Sequence, residues 1–384
     1  MRPMSRGSDA LTFRGPERAR GLLRRMESLL DEIAEKPVKV MHMCGTHEQS
    51  IAKFGLRSLF PKDLEVIMGP GCPVCVTSMP EVDEAIHLAE RGVTLCTYGD
   101  MMRVPGSVKS LQDAKGEGAD VRLAYSPWDA VRTAQQNPEQ EVVFFATGFE
   151  TTAPATAAII LSGPPENFSV LSAHKYIPPA MDVVAAMPDL EFQGWLAAGH
   201  AATITGYGVF EPHVEKYGLP IVVAGFEPLD ILYGFGRLLE LIRDGKAEIV
   251  NAYPRSITRE GNVVAQRLLW KVFETLPGEW RGIAYVPDGH MELREEYADC
   301  NARQRFDIDV TQVRLMNPMM ALMSKCICGE IMSGRAKPTD CDIFGTECVP
   351  DRPVGACMVS SEGTCKIWHQ YGGYPDLRDV PDST

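Results

Sequence analysis

Nine of the eleven cysteines in this 384-residue chain fall into three groups whose spacing suits metal or electron chemistry. Cys44 opens the run Cys44-Gly45-Thr46-His47-Glu48. Cys72 and Cys75 form a Cys-x-x-Cys inside Gly69-Pro70-Gly71-Cys72-Pro73-Val74-Cys75. Cys326, Cys328, Cys341, Cys348, Cys357 and Cys365 lie within forty residues toward the C-terminus. Thiolates are soft ligands and redox-active groups, and so many so arranged point to more than packing.

Each group has a distinct chemistry. A thiol at the start of a helix is favoured as thiolate, which would make Cys44 a better nucleophile or ligand, with the His47 imidazole and the Glu48 carboxylate within reach. The plain alternative is a buried cysteine at a strand end with His47 as a helix cap. The pair Cys72 and Cys75 reads as half a zinc site, a thioredoxin-like redox pair or a labile metal site. A structural zinc needs two further ligands, and the chain has no second Cys-x-x-Cys. The surrounding glycines and prolines force a tight loop, which favours a dithiol that opens and closes.

In the C-terminal group, Cys326, Cys341, Cys348 and Cys365 are separated by fourteen, six and sixteen residues. Such long loops can wrap a cubane, and four thiolates satisfy a [4Fe-4S] centre. Cys328 and Cys357 then remain as a redox dithiol beside it. Zinc is the competing occupant, but zinc sites usually show short paired spacings, and here only Cys326 and Cys328 are close. Thr147-Gly148-Phe149-Glu150-Thr151-Thr152 could hold an anion on backbone N–H groups, yet it lacks the lysine and glycine spacing of a P-loop, and ordinary N-capping explains it as well. Cys96 and Cys300 have no cysteine neighbours and read as inert. His87, His174, His200, His213 and His290 are scattered and carry no assigned ligand role.

The net charge of −13 argues against nucleic-acid binding, because little would neutralise phosphates along a duplex. No apolar stretch approaches the roughly 20 residues that span a bilayer, so no membrane partner is expected. The basic stretch from Met1 to Arg25 has no apolar core or small-residue cleavage site and does not read as a secretory signal. A cytoplasmic location is expected, where a reducing environment disfavours a disulfide framework.

The elements that must position these residues alternate. Val38 to Met43, Leu64 to Met68, Val93 to Tyr98, Val121 to Tyr125, Val142 to Ala146, Ser169 to Ala173, Trp195 to Ala198 and Ile221 to Ala224 read as buried strands. Helical patterns run from Leu22 to Ile33, Pro80 to Arg91, Thr151 to Leu161, Pro228 to Arg243 and Asn262 to Leu276. This rhythm predicts an α/β protein: two parallel-sheet, Rossmann-like domains over 37–127 and 128–255, an N-terminal helix within 1–36 packing on another domain, and a loop-rich cluster domain over 256–384. Cys44, Gly69 and Thr147 each follow a strand. In open α/β sheets ligands bind beyond the carboxyl ends of strands, so one shared cleft is expected.

With these motifs in order, the chain resembles the HypD family of [NiFe]-hydrogenase maturation proteins. The likeness rests on Met43 to Glu48, Gly69 to Cys75, Tyr98-Gly99-Asp100-Met101 with Val104-Pro105-Gly106, Ala146 to Pro154, Cys328-Gly329-Glu330-Ile331, and Cys357 to Cys365. Ala356 stands where the pattern leads one to expect proline. The resemblance implies a scaffold on which the Fe(CN)2CO unit is assembled, in complex with a small HypC-type chaperone and a HypE-type cyanide-transferring protein. It further implies that Cys44 holds iron, that Cys72 and Cys75 form a redox-active pair beside it, and that Cys328 and Cys357 act as the dithiol next to the cluster. Such a protein is an assembly scaffold with redox activity more than a turnover enzyme. The rival readings are a cluster-dependent protein disulfide reductase and a structural zinc protein.

Overall fold

The computed structural model describes residues 14–308 and 324–372. The first residues of the basic N-terminal stretch and parts of the segment 256–384 therefore lie outside the described residues.

Eleven strands build two sheets among the described residues: β1 Val38–His42, β2 Leu64–Met68, β3 Thr94–Thr97, β4 Val121–Leu123, β5 Val142–Gly148, β6 Phe168–Lys175, β7 Trp195–Ala198, β8 Ile221–Ala224, β9 Ile249–Asn251, β10 Phe273–Trp280 and β11 Ala284–Leu293. One sheet has the order β2-β1-β7-β8-β9, and every pairing in it is parallel. The other has the order β10-β11-β6-β5-β3-β4, parallel from β6 to β4 and closed at its other side by the antiparallel hairpin β10–β11. The strands are apolar on both faces, as parallel strands covered by helices must be.

The α/β expectation is met, but the strands do not sort by halves of the sequence. Segment 37–127 supplies β1 and β2 to one sheet and β3 and β4 to the other, and segment 128–255 is divided likewise. The chain thus passes between the sheets repeatedly, which stitches them together. The pattern from Asn262 to Leu276 also divides: the helix ends at Val272, and Phe273 begins a strand. Leu269, Val272, Phe273, Met291 and Leu293 pack with Val142, Phe144 and Val170, so this stretch completes the second sheet and does not open a cluster unit.

The N-terminal helix Pro16–Glu32 lays Met26, Leu29 and Leu30 on the helix Pro228–Arg243, against Phe235, Leu238 and Leu239, covering the first sheet. The helix Met79–Glu90, just after the Cys-x-x-Cys, starts with a capping box in which Ser78 and Glu81 exchange bonds. Replacing Ser78 with alanine is expected to cost about 1 kcal/mol in urea unfolding while leaving the thiol count unchanged. Among the described residues no helix is long and apolar enough to cross a membrane.

Candidate functional site

In the first sheet the chain winds outward from β1 to β2 on one side and from β7 to β9 on the other, so β1 and β7 flank the switch point where a crevice forms. Cys44 follows β1 and His200 follows β7. They meet there, with Cys44 Sγ 3.7 Å from His200 Nδ1. Cys44 is the N-cap of the helix Gly45–Lys53 and is fully buried. Burial, with help from the Glu362 carboxylate, pushes its thiol pKa up to about 12, although the N–H groups of His47 and Thr46 and the Thr46 hydroxyl pull the other way. The helix terminus is present as expected, but desolvation outweighs it, so the resting sulfur is a thiol. A bound metal ion reverses that balance by taking the place of the proton.

His47 and Glu48 do not serve as partners of that thiol. His47 Nε2 lies 3.0 Å from the Gly225 carbonyl, its ring packs on Phe226, and burial, with His42 and His200 nearby, lowers its pKa to about 3. It is a neutral imidazole fixed to the loop after β8. Glu48 accepts hydrogen bonds from His42 Nε2 (2.8 Å), Trp368 Nε1 (2.8 Å) and Arg57. Burial favours its neutral form, but Arg57, His42 and Trp368 together hold the carboxyl well below the usual carboxylate range. Glu48 is therefore a permanently charged strut tying the Cys44 helix to the helix Thr364–Tyr371. The imidazole beside Cys44 is His200, to which sequence reading assigned no role. Its one available signal was its place just past a strand end, the same as that of Cys44.

The Cys-x-x-Cys lies against Cys44. Gly45 N–H donates to Gly71 O (3.2 Å), and a Cβ on Gly71 would collide with the backbone of Met43 and Cys44. Cys72 caps the turn Pro73–Val76, its sulfur accepts from Cys75 N–H (3.2 Å), and the two cysteines form a disulfide with Cα atoms 5.3 Å apart. Both are buried. The closing and opening dithiol expected of this loop has its closed form here.

The six C-terminal cysteines line one small cavity, together with Ile331, Phe344, Gly355 and Met358. Within it Cys326 neighbours Cys328, and Cys357 neighbours Cys365, whose N–H donates to Cys357 Sγ (3.4 Å). The contact with Cys328, then burial, raises the Cys326 pKa. Bonding with Cys365 lowers that of Cys357, and Cys365 is raised in return. Among the described residues no three His, Cys, Asp or Glu side chains gather at single-ion spacing, which a zinc site requires. Six thiols around one cavity, by contrast, suit a multi-iron cluster with thiols to spare. The segment also shares its apolar core with Cys44, Cys72 and Trp280, which answers how so loop-rich a stretch is held.

One loop joins the C-terminal group to the Cys44 run and to the end of β3. Between Cys357 and Cys365, Thr46 donates to Glu362 (2.8 Å), and Ser361 N–H donates to Asp100 (3.1 Å). Thr46 follows β1 and Asp100 follows β3, so the loop buckles across the carboxyl edges of both sheets. The strand β5 runs on through Thr147 and Gly148, beyond its expected end at Ala146, and Glu150 just after it accepts from Ile177 N–H (2.8 Å), while burial pushes its pKa to about 7. Thr152 is the N-cap residue of the helix Ala153–Leu161, but its hydroxyl donates to Phe149 O and makes no cap bond to the helix, so the ordinary N-capping expected of this motif is not made by that side chain. Cys96 is buried core in β3, and Cys300 is half-buried.

Residues 17–372 match the HypD family model, described as "Hydrogenase formation hypA family". The chain is 43% identical over 376 residues to hydrogenase maturation factor HypD2 of Bradyrhizobium diazoefficiens, covering 95% of this chain and 97% of that one. It is 42% identical over 361 residues to a putative hydrogenase expression/formation protein of Methanocaldococcus jannaschii (92% and 98%) and 41% over 372 residues to HypD of Azotobacter vinelandii (94% and 96%). A chain that shares this much sequence over nearly its whole length, with its three cysteine groups drawn to one edge of the fold, belongs to the HypD family of hydrogenase maturation factors.

Proposed function

We propose that Cys44 holds the iron of an Fe(CN)2CO fragment during its assembly, sharing that iron with a cysteine of a HypC-type chaperone while a HypE-type protein supplies cyanide. The observation that carries this reading is the burial of the Cys44 thiol at a sheet switch point, with Gly71 of the Cys72–Cys75 loop pressed on its backbone and His200 at its sulfur. Iron carrying cyanide and carbon monoxide prefers soft donors, and a thiol releases its proton on binding. His200 is placed to meet that proton.

Cys326, Cys341, Cys348 and Cys365 are the proposed holders of a [4Fe-4S] cluster, which when bound supplies single electrons. Cys328 and Cys357, in the same cavity, are the proposed dithiol between it and Cys72–Cys75. Opening the Cys72–Cys75 disulfide takes up two electrons and two protons and yields two thiols beside Cys44. The thiol set and this chemistry fit a reducing cytosol.

Iron analysis tests the reading. Isolated anaerobically with its chaperone, the wild type is expected to carry about five irons and four acid-labile sulfides, and Cys44→Ala about four of each. A Cys44→Ala protein that kept the fifth iron would overturn the assignment.

A further inference from the structure

Gly-Phe-Glu occurs twice in this chain, each time at the carboxyl end of a strand: Gly148-Phe149-Glu150 where β5 ends, and Gly225-Phe226-Glu227 after β8. The two phenylalanines are held differently. Phe149 is 2% exposed and stacks on the buried Trp280, with ring centroids 5.8 Å apart. Phe226 is half-buried, and its neighbours are imidazoles: its ring lies 5.0 Å from that of His47 and 5.2 Å from that of His200, tilted to both. His47 is pinned, because its Nε2 meets Gly225 O in the same turn (3.0 Å). His200 is half-buried, and its Nδ1 lies 3.7 Å from Cys44 Sγ. Behind Phe226, Tyr253 packs edge-on at 6.3 Å and carries the Arg255 guanidinium, which is anchored on buried Asp230 (2.9 Å). The backbone of the turn is thus fixed from two sides, and the Phe226 ring with the imidazole beneath it is what remains to move.

Cys44 is 0% exposed, yet an iron it shares with a second protein's cysteine must be reached by that second sulfur. We infer that Phe226 is a positioning residue: its ring seats His200 against the Cys44 sulfur, and the two rings together are the door through which a second thiol enters. The inference rests on the role proposed for Cys44. Opening here parts ring contacts and the sulfur–imidazole contact alone. Reaching Cys44 from behind would instead break the hydrogen bonds of β1 or of the helix Gly45–Lys53. Ring pairs gain stability beyond the area they bury, so each ring contact removed raises the population of the open form.

The experiment is alkylation of the full-length protein, purified anaerobically without a partner, with iodoacetamide, read by mass spectrometry at each cysteine in wild type, Phe226→Ala and Phe226→Tyr. Phe226→Ala loses both ring contacts and is expected to label Cys44 at least about tenfold faster than wild type, because labelling of a buried thiol follows the population of its open form. Phe226→Tyr, which keeps the ring, is expected within about threefold of wild type. Cys96, buried in β3, is the internal control and is expected to keep its wild-type rate. Three results would each overturn the inference: Cys44 labelled no faster in Phe226→Ala than in wild type, Phe226→Tyr as fast as Phe226→Ala, or Cys96 quickened in step with Cys44. Should Phe226→Ala not fold, Phe226→Leu, which keeps apolar volume without a ring, takes its place with the same expected and overturning results. A Cys44→Ala protein that kept the fifth iron would defeat the iron reading and leave the labelling result standing, so the two failures are told apart.

Discussion

Gly71→Ala is expected to reduce hydrogenase maturation at least about 100-fold while the protein remains folded. The obstacle is space and not backbone angle. The new methyl would overlap the Met43 carbonyl carbon and the Cys44 N and Cα, all backbone atoms that no rotamer can move. Cys44 itself is fixed by β1 and by the helix Gly45–Lys53, so the displaced element is the Cys72–Cys75 loop. Moving reacting groups by about 1 Å costs on the order of 100-fold in rate, whereas local overpacking costs about 1–3 kcal/mol in stability. Hydrogenase activity in cells carrying the variant, read beside its urea unfolding curve, checks the two separately. Wild-type maturation from Gly71→Ala would mean that the loop need not touch Cys44.

Glu48→Ala is expected to act on the fold, destabilising the protein by about 3–5 kcal/mol, because it removes the one carboxylate that His42, Arg57 and Trp368 share inside the protein. The pH dependence has a definite sign. Glu48 has a folded pKa below its unfolded one, so its stabilisation is complete above the unfolded value of about 4.3 and is lost progressively as pH falls from there toward the folded value. The gap between wild type and variant in denaturant unfolding should be constant above about pH 5 and narrow below about pH 4. A gap that instead widened on acidification would contradict the assignment of Glu48 as a charged strut.

The elements were legible where the signal is local. Leu64–Met68, Trp195–Ala198, Ile221–Ala224 and the helix Pro228–Arg243 stand where apolar runs and periodicity place them. Sheet membership was not, because the pairing of Met41 with Trp195 joins strands far apart in the chain and leaves no trace in either run. The strand Phe273–Trp280 was hidden by Pro277 and Gly278, which weaken its pattern and sit at a register shift in the ladder. At the site, the cysteines announced themselves by type and spacing, and their convergence on strand ends followed from the general habit of α/β sheets. The roles of single residues did not follow. His47 and Glu48 are neighbours of Cys44 in sequence, but the first turn of a helix points successive side chains in different directions. His200 reaches the sulfur from another strand, and a lone histidine has no spacing to reveal it.

The account stands on Cys44 as the thiol that carries iron among converging sulfurs. Infrared spectroscopy of the anaerobically isolated protein with its chaperone tests this most directly, comparing wild type with Cys44→Ala. Wild type should show the stretching bands of iron-bound cyanide and carbon monoxide, and Cys44→Ala should show none. Bands of undiminished intensity in Cys44→Ala would place the iron elsewhere and contradict the account.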